Sequence, residues 1–156
     1  MNQPANDLRT LIDLVQRLSR DIAWQESYGP GKWRRVQVLG HLVDSASNNH
    51  QRFVRAMLQS SLEFPAYDSD GFVEVQSYES FPAATLLELW ASYNTLLAHV
   101  IERIPVASLQ VRCQIGSDAP VSLEFLANDY MRHLTHHLKQ ILPENALHGP
   151  PLAYAP

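Results

Sequence analysis

Positions 130–141 of the chain read YMRHLTHHLKQI, a run in which His133 and His137 stand four residues apart. Residues four apart are neighbours on an α-helix. The apolar residues of this run recur at helical spacing and share one stripe with both histidines, which directs the two imidazoles toward an interior rather than toward solvent. This arrangement is typical of a metal site built in the core of a helical bundle.

A second interpretation of the same run needs no metal. Two histidines on an apolar stripe are also ordinary interior residues that hydrogen-bond to their neighbours, and the HxxxH spacing occurs often by chance. The run therefore needs a third ligand before it predicts a metal centre.

The rest of the chain predicts three more amphipathic helices. Apolar residues recur every three or four positions over roughly residues 6–26, 34–60 and 83–104, and the histidine run belongs to a fourth helix over roughly residues 122–142. The breakers are YGPG at 28–31, Pro82, Pro105 and Pro143, and Ser122 is placed to cap the fourth helix. The sequence thus predicts an all-α four-helix bundle that forms one domain over residues 1–156.

The predicted connections differ in length. About five to eight residues join the first two helices, which suits antiparallel neighbours, whereas roughly 22 residues separate the second from the third and permit a crossover. Between the third and fourth helices, residues 110–115 and Val121 flank a turn at 116–120 and predict a small hairpin.

Composition narrows the classes of function. The chain has 156 residues, of which 46% are hydrophobic and 18% are charged, as in an ordinary globular domain. A net charge of -4 and the lack of a Lys/Arg-rich run argue against nucleic-acid and anionic-membrane partners. Cys113 is the single cysteine, so no internal disulfide forms and a reducing compartment is expected. With no secretory signal or membrane span in the sequence, we expect a cytoplasmic protein.

The second helix supplies the candidates for a third ligand. His41, Asp44, Asn48 and Arg52 follow one another at three- and four-residue steps and form a continuous polar face. A helical wheel sets this face almost opposite the apolar stripe of the same helix. Taken alone, that position favours a solvated surface, and a functional interpretation requires the face to border a cleft formed with the fourth helix.

Four segments together resemble a known family. Residues 30–33 (PGKW), 38–45 (VLGHLVDS), 65–68 (PAYD) and 130–141 resemble, in order and spacing, the DinB/YfiT superfamily of metalloenzymes. The likeness spans nearly the whole chain. It implies a four-helix bundle of up-down-down-up topology, in agreement with the long link between the second and third helices.

The resemblance also implies a site for one divalent transition metal. Its three histidine ligands fall on His41, His133 and His137, whereas His136, beside them, projects about 100° away from His137 on the helix. Three neutral imidazoles suit zinc, nickel, iron or manganese, and sequence does not choose among these. Within the superfamily, some members resemble hydrolases and others are metal-dependent transferases of low-molecular-weight thiols.

Several neighbouring residues have candidate roles at such a site. By helical spacing, Asp44 and Asp129 are placed to accept an N–H from His41 and His133, and Asp44 is also the candidate general base for hydrolysis. Asn48 and Arg52 orient an anionic group or lie on a solvated face, and Asp129 alternatively complements the helix dipole. Residues 64–81 are expected to form a wall of the site.

We therefore expect a metalloenzyme that activates water or a thiol and acts on a small-molecule substrate, itself a thiol in the transferase case. The alternative is a non-catalytic protein, either a stress-related binding module or a bundle whose histidines are structural. Exposed apolar positions on the third helix are also compatible with a homodimer.

Overall fold

The computed structural model describes residues 1–147, and most of these lie in helices. The helices are α1 (Asn2–Leu18), α2 (Arg35–Met57), α3 (Ser69–Gln76), α4 (Ala83–Glu102) and α5 (Leu123–Ile141). The four long helices form a bundle, as predicted, and the short α3 lies in the link between α2 and α4. The predicted single domain also includes residues 148–156, which lie outside the described residues.

The two C-terminal helices of the bundle keep close to their predicted bounds. Pro82 immediately precedes α4, and Ser122 caps α5, accepting the backbone N–H of Phe125 on its hydroxyl at 3.1 Å. Helix α5 ends at Ile141, before Pro143. The short helix α3, which lies within the long predicted link, was not predicted.

The predicted bounds of α1, residues 6–26, were wrong at both ends. The helix begins at Asn2 and ends at Leu18, after which a 3₁₀ turn spans Ser19–Asp21 and the backbone becomes extended at Ile22. The backbone carbonyls of Trp24 and Glu26 accept the amides of Val36 and Arg35 at 3.0 Å. These residues are therefore held by the start of α2, which the apolar pattern of α1 does not reveal.

A small sheet stands beside the bundle. Strands β2 (Arg112–Ile115) and β3 (Val121–Ser122) pair antiparallel, which confirms the predicted hairpin. Strand β1 (Ser61–Phe64) pairs parallel with β2 in the register Ser61↔Arg112 to Phe64↔Ile115. This third strand was not predicted, and it ends the predicted second helix early, at Met57.

The direction of each long helix follows from which helix starts and which helix ends lie together at one end of the bundle. Ile22, Arg35, Ile141 and Pro143 line one surface pocket, so α1 and α5 run toward this end and α2 starts from it. Tyr78, shortly before α4, packs over Gly40 near the start of α2, so α4 starts there too. The bundle is therefore up-down-down-up, and the link between α2 and α4 is the predicted crossover.

The packing partners correct one further expectation. Helix α1 packs against α4 and α5, whereas α2 packs against α4, α5 and α3. Helices α1 and α2 are therefore diagonal across the bundle and not the adjacent pair that their short connection suggested. Among residues 1–147, no helix is both long enough and apolar enough to cross a membrane.

Gly40 lets the crossover link approach the backbone of α2. A Cβ at this position would lie 2.2 Å from Cδ2 of Tyr78, closer than any van der Waals contact. The Tyr78 hydroxyl donates a hydrogen bond to Oδ1 of Asp44 at 2.9 Å. The missing side chain at Gly40 is thus what allows Tyr78 to cover α2 and reach Asp44.

We expect Gly40→Ala to destabilise the protein. Alanine gains about 1 kcal/mol in helix propensity, but the clash with the Tyr78 ring costs roughly 1–3 kcal/mol or more. Urea unfolding should therefore show a lower free energy of unfolding. In a Tyr78→Ala background the same substitution should be neutral or stabilising, and a loss of equal size in both backgrounds would contradict the clash.

Candidate metal centre

Three histidines from two helices converge in the bundle. His41 comes from α2 and is 4% exposed, while His133 and His137 lie one turn apart on α5 and are half-buried. The ring centroids lie 5.0 Å (His41–His133), 4.6 Å (His41–His137) and 4.5 Å (His133–His137) apart. One ring nitrogen from each histidine lies within 4.8 Å of the other two. The structure thus brings together the three residues that the sequence proposed as ligands.

The closest contact joins the Nε2 atoms of His41 and His133, at 3.1 Å. Both rings offer the same kind of atom here, so either one donates a proton to the other or both lone pairs face a common cation. Two nitrogens bound to one tetrahedral zinc lie roughly 3.3 Å apart, since each Zn–N bond is about 2.0–2.1 Å. The observed spacing is compatible with both a hydrogen bond and a shared metal ion.

The opposite ring nitrogens are oriented by neighbours. Nδ1 of His133 lies 3.3 Å from the hydroxyl of Ser45, and Nδ1 of His137 lies 2.9 Å from Oε1 of Gln140. The Gln140 carbonyl oxygen only accepts, so His137 carries its proton on Nδ1 and leaves Nε2 free as a ligand atom. Gln140 and Ser45 therefore hold the Nδ1 atoms of His137 and His133, which leaves the Nε2 atoms of both rings available as ligand atoms.

The electrostatic surroundings keep the cluster neutral. Burial, together with the nearby His137, lowers the pKa of His41 to about 4. Burial, then the neighbouring His137 and His41, lowers the pKa of His133 to about 3. Burial also lowers the pKa of His137, against the opposing effect of its bond to Gln140. Neutral imidazole is the form that binds metal, so the chemistry of the donor set fits a divalent ion.

Asp44 is buried beside this cluster, with 6% of its surface exposed. Nε2 of Gln76 donates to its two carboxylate oxygens at 3.0 and 3.1 Å, and Tyr78 donates to Oδ1. Burial raises the pKa of Asp44, although the bonds from Gln76 and Tyr78 lower it. The polar face of α2 is therefore covered at this point by the crossover link, and the alternative of a solvated face was wrong there.

Two predicted hydrogen bonds to the histidines do not form. Nδ1 of His41 is buried without a hydrogen-bond partner among residues 1–147, so Asp44 does not hold it. Asp129 forms an exposed ion pair with Arg132, and Ser45 takes the place that was expected for it beside His133. Asp129 lies at the partly exposed surface of α5, where Arg132, three residues further along the helix, is within reach as its partner.

The other polar candidates lie around the cluster. Asn48 donates to the backbone carbonyl of Asp44 at 3.0 Å, and Arg52 stacks over the ring of Phe64. His136 is exposed and contacts the amide of Gln140 at 3.2 Å, outside the three-histidine group. Neither Asn48 nor His136 therefore faces the converging ring nitrogens.

Sequence reasoning missed several contributors. The ring centroid of Trp33 lies 5.4 Å from that of His41. Gln140 had a usable signal, because it stands one helical turn from His137, the residue that it contacts. Ser45 had none, since it contacts His133 on another helix. Gln76 and Tyr78 had none, since they reach Asp44 from more than 30 residues away.

Comparison with known proteins places the chain in a family. Residues 6–141 match the family model of the DinB superfamily, and the protein belongs to this superfamily. No curated protein sequence matches the chain.

A solved structure shares the fold. YfiT from Bacillus subtilis, described as a probable metal-dependent hydrolase with an unusual four-helix bundle topology, superposes with a TM-score of 0.78. The match covers 88% of this chain and 81% of YfiT at 19% sequence identity. At that identity the similarity concerns the fold, and it agrees with the topology derived above.

The lowered pKa values predict how the metal-free protein responds to acid. Well above pH 6.5, His41 and His133 are neutral in both the folded and the unfolded protein. Below pH 6.5 both residues become protonated in the unfolded chain, whereas in the folded protein their pKa values are about 4 and about 3. Protons therefore favour the unfolded state over this range. Stability should therefore fall as the pH drops from 6.5 toward 4. Between pH 7.5 and 5 the loss should be about 1–2 kcal/mol for each of the two residues.

Urea unfolding after chelator treatment measures this loss. Replacing His133 by Gln should flatten the pH dependence, while His99→Gln, an exposed histidine that contacts Arg103, should leave it unchanged. Parallel pH curves for the wild type and His133→Gln would contradict the assignment.

Proposed function

We propose that the protein is a hydrolase that depends on one divalent transition metal held by His41, His133 and His137. The observation that carries the proposal is the convergence of three neutral imidazoles, two of them half-exposed, on one point. The fold shared with YfiT, itself described as a probable metal-dependent hydrolase, supports it. Zinc, nickel, iron and manganese all suit the donor set.

A divalent ion held by the three histidines would supply a Lewis acid and would lower the pKa of a bound water molecule toward neutral pH. The chain provides the groups that work beside it. Gln140 and Ser45 hold the rings of His137 and His133 in place. Asp44 lies one helical turn after His41, and its raised pKa makes it a better acceptor for a proton released near neutral pH.

The link between α2 and α4 provides a wall for the substrate. The rings of Tyr67 and Phe72 pack with centroids 4.9 Å apart, and Gln76 and Tyr78 from the same link hold Asp44. A small-molecule substrate would lie between this link and α5. A cytoplasmic location and a homodimer remain predictions from the sequence.

Thiol transfer is the competing activity, because three neutral imidazoles also suit an ion that binds a thiolate. Hydrolysis of model esters and amides, set against conjugation of thiols to a bromobimane-type electrophile, separates the two activities.

Elemental analysis of untagged protein tests the metal site. We expect about one equivalent of a transition metal, lost in His41→Ala and in His133→Ala. His50→Ala is the matched control, since His50 lies on α2 but bonds the hydroxyl of Tyr93 at 3.2 Å. Removing the metal should lower the melting temperature, because an ion present at 100 times its Kd stabilises the folded state by about 2.7 kcal/mol. Metal that survives both substitutions would favour the non-catalytic alternative.

Asp44→Asn tests the proton acceptor. The amide keeps the size of the carboxylate but accepts a proton poorly, so kcat on a hydrolysed ester should fall by about 10²–10⁴-fold. The metal content should stay unchanged, because Asp44 is not among the three ligands. Asp129→Asn, on the exposed rim of α5, should keep wild-type turnover. An unchanged kcat in Asp44→Asn would remove Asp44 from the mechanism.

A further inference from the structure

Arg52 stands on the same side of α2 as His41. The two residues are 11 positions apart, which is about 20° more than three full helical turns and roughly 16.5 Å along the axis. Ser45, which bonds His133, lies between them. Arg52 therefore marks the far end of the polar face that carries the proposed metal site.

The charge of Arg52 lacks a partner of opposite sign. Within residues 1–147 it forms no ion pair, and its Nε is buried without a hydrogen bond. Its remaining contacts are weak: Nη1 lies 3.5 Å from Oδ1 of Asn49, and the guanidinium carbon lies 5.5 Å from the centroid of Phe64. A half-buried guanidinium held only in this way has unused capacity for hydrogen bonds.

The carboxylates nearby are engaged elsewhere. Asp44 accepts from Gln76 and Tyr78, and Asp129 pairs with Arg132. Burial lowers the pKa of the Arg52 guanidinium, although the groups of Tyr67 and Asp129 oppose this effect. An external anion would replace the hydrogen bonds to water that the Arg52 guanidinium loses on burial.

Tyr67 connects the two ends of this face. Burial and the charge of Asp44 raise the pKa of Tyr67, whereas the charge of Arg52 and the Ser45 hydroxyl lower it. Tyr67 is therefore near enough to interact with both Arg52 and Ser45, the partner of His133. A ligand along Tyr67 would reach from the histidines to the guanidinium.

We propose that Arg52 binds an anionic group of the substrate, a carboxylate or a phosphate, while the reacting bond lies at the three histidines. The inference rests on the proposed function, and it adds the substrate class: a small ester or amide that carries a negative charge at its other end. Arginine suits this role because its planar fork binds carboxylate and phosphate through two parallel hydrogen bonds.

Binding is tested on the full-length protein by following the Nε–Hε NMR resonance of Arg52, assigned by its loss in Arg52→Lys. Titration with acetate and with methyl phosphate should shift this resonance to saturation, and the anion that saturates at lower concentration identifies the group. Chloride at equal ionic strength should not shift the Arg52 resonance to saturation. Because the readout is local to Arg52, an anion that binds only at the histidines leaves it unmoved. A resonance that neither anion moves overturns the inference.

Turnover is an independent test, with p-nitrophenyl acetate as the neutral ester and the p-nitrophenyl hemiester of suberate as an anionic ester long enough to reach from the histidines toward Arg52. Arg52→Met should lower kcat/KM for the anionic hemiester about tenfold, with less than about a twofold change for the neutral acetate. Arg55→Met, an exposed arginine one turn further along α2, is the matched control. Equal losses on both esters overturn the inference. A shifted resonance in a protein that hydrolyses neither ester keeps the anion site and overturns the proposed hydrolase.

Discussion

The structure depends on a polar face of α2 that is buried rather than solvated. His41, Asp44, Ser45 and Asn49 are each less than 9% exposed. A buried polar group without a partner costs about 1–3 kcal/mol, so this face dictates what packs on it. Helix α5 brings His133 to Ser45 and His41, and the crossover link brings Gln76 and Tyr78 to Asp44. The polar face of α2 thus contacts both α5 and the crossover link, and the same contacts form the candidate site.

The bounds of α4 and α5 and the pairing of His133 with His137 could be predicted from the sequence, because they depend on residues close together in the chain. The turn-to-turn spacing of His133 and His137 and the prolines at 82 and 143 place α4 and α5 within a few residues of their observed bounds. His41 was different. A helical wheel counts apolar residues and placed His41 on a solvated side, because it does not register that α2 packs on more than one face. The family resemblance, and not periodicity, singled out His41.

Strand β1 and the contacts of Asp44 could not be predicted from the sequence, because they depend on segments that are far apart in the chain. Strand β1 pairs with β2 across about 50 residues, and a parallel pair leaves no hairpin signal. Tyr78 reaches Asp44 only because residue 40 is glycine, a fact that acquires meaning once the link is known to cross there. Gln140 is the instructive exception: it stands three residues from His137, where a helix always brings side chains together.

The charge balance of the site argues for the kind of molecule that it receives. Three neutral histidines leave the full charge of the proposed ion in place, Asp44 compensates one unit, and Arg52 adds a positive charge at the other end of the same face. With the proposed ion bound, the site would be positive within a chain of net charge -4. Fields add most strongly where water is excluded, and His41, Asp44 and the Nε of Arg52 are all buried. We therefore expect this face to attract an anionic substrate and to orient it, because the proposed metal ligands and Asp44 lie at one end of the face and Arg52 lies at the other.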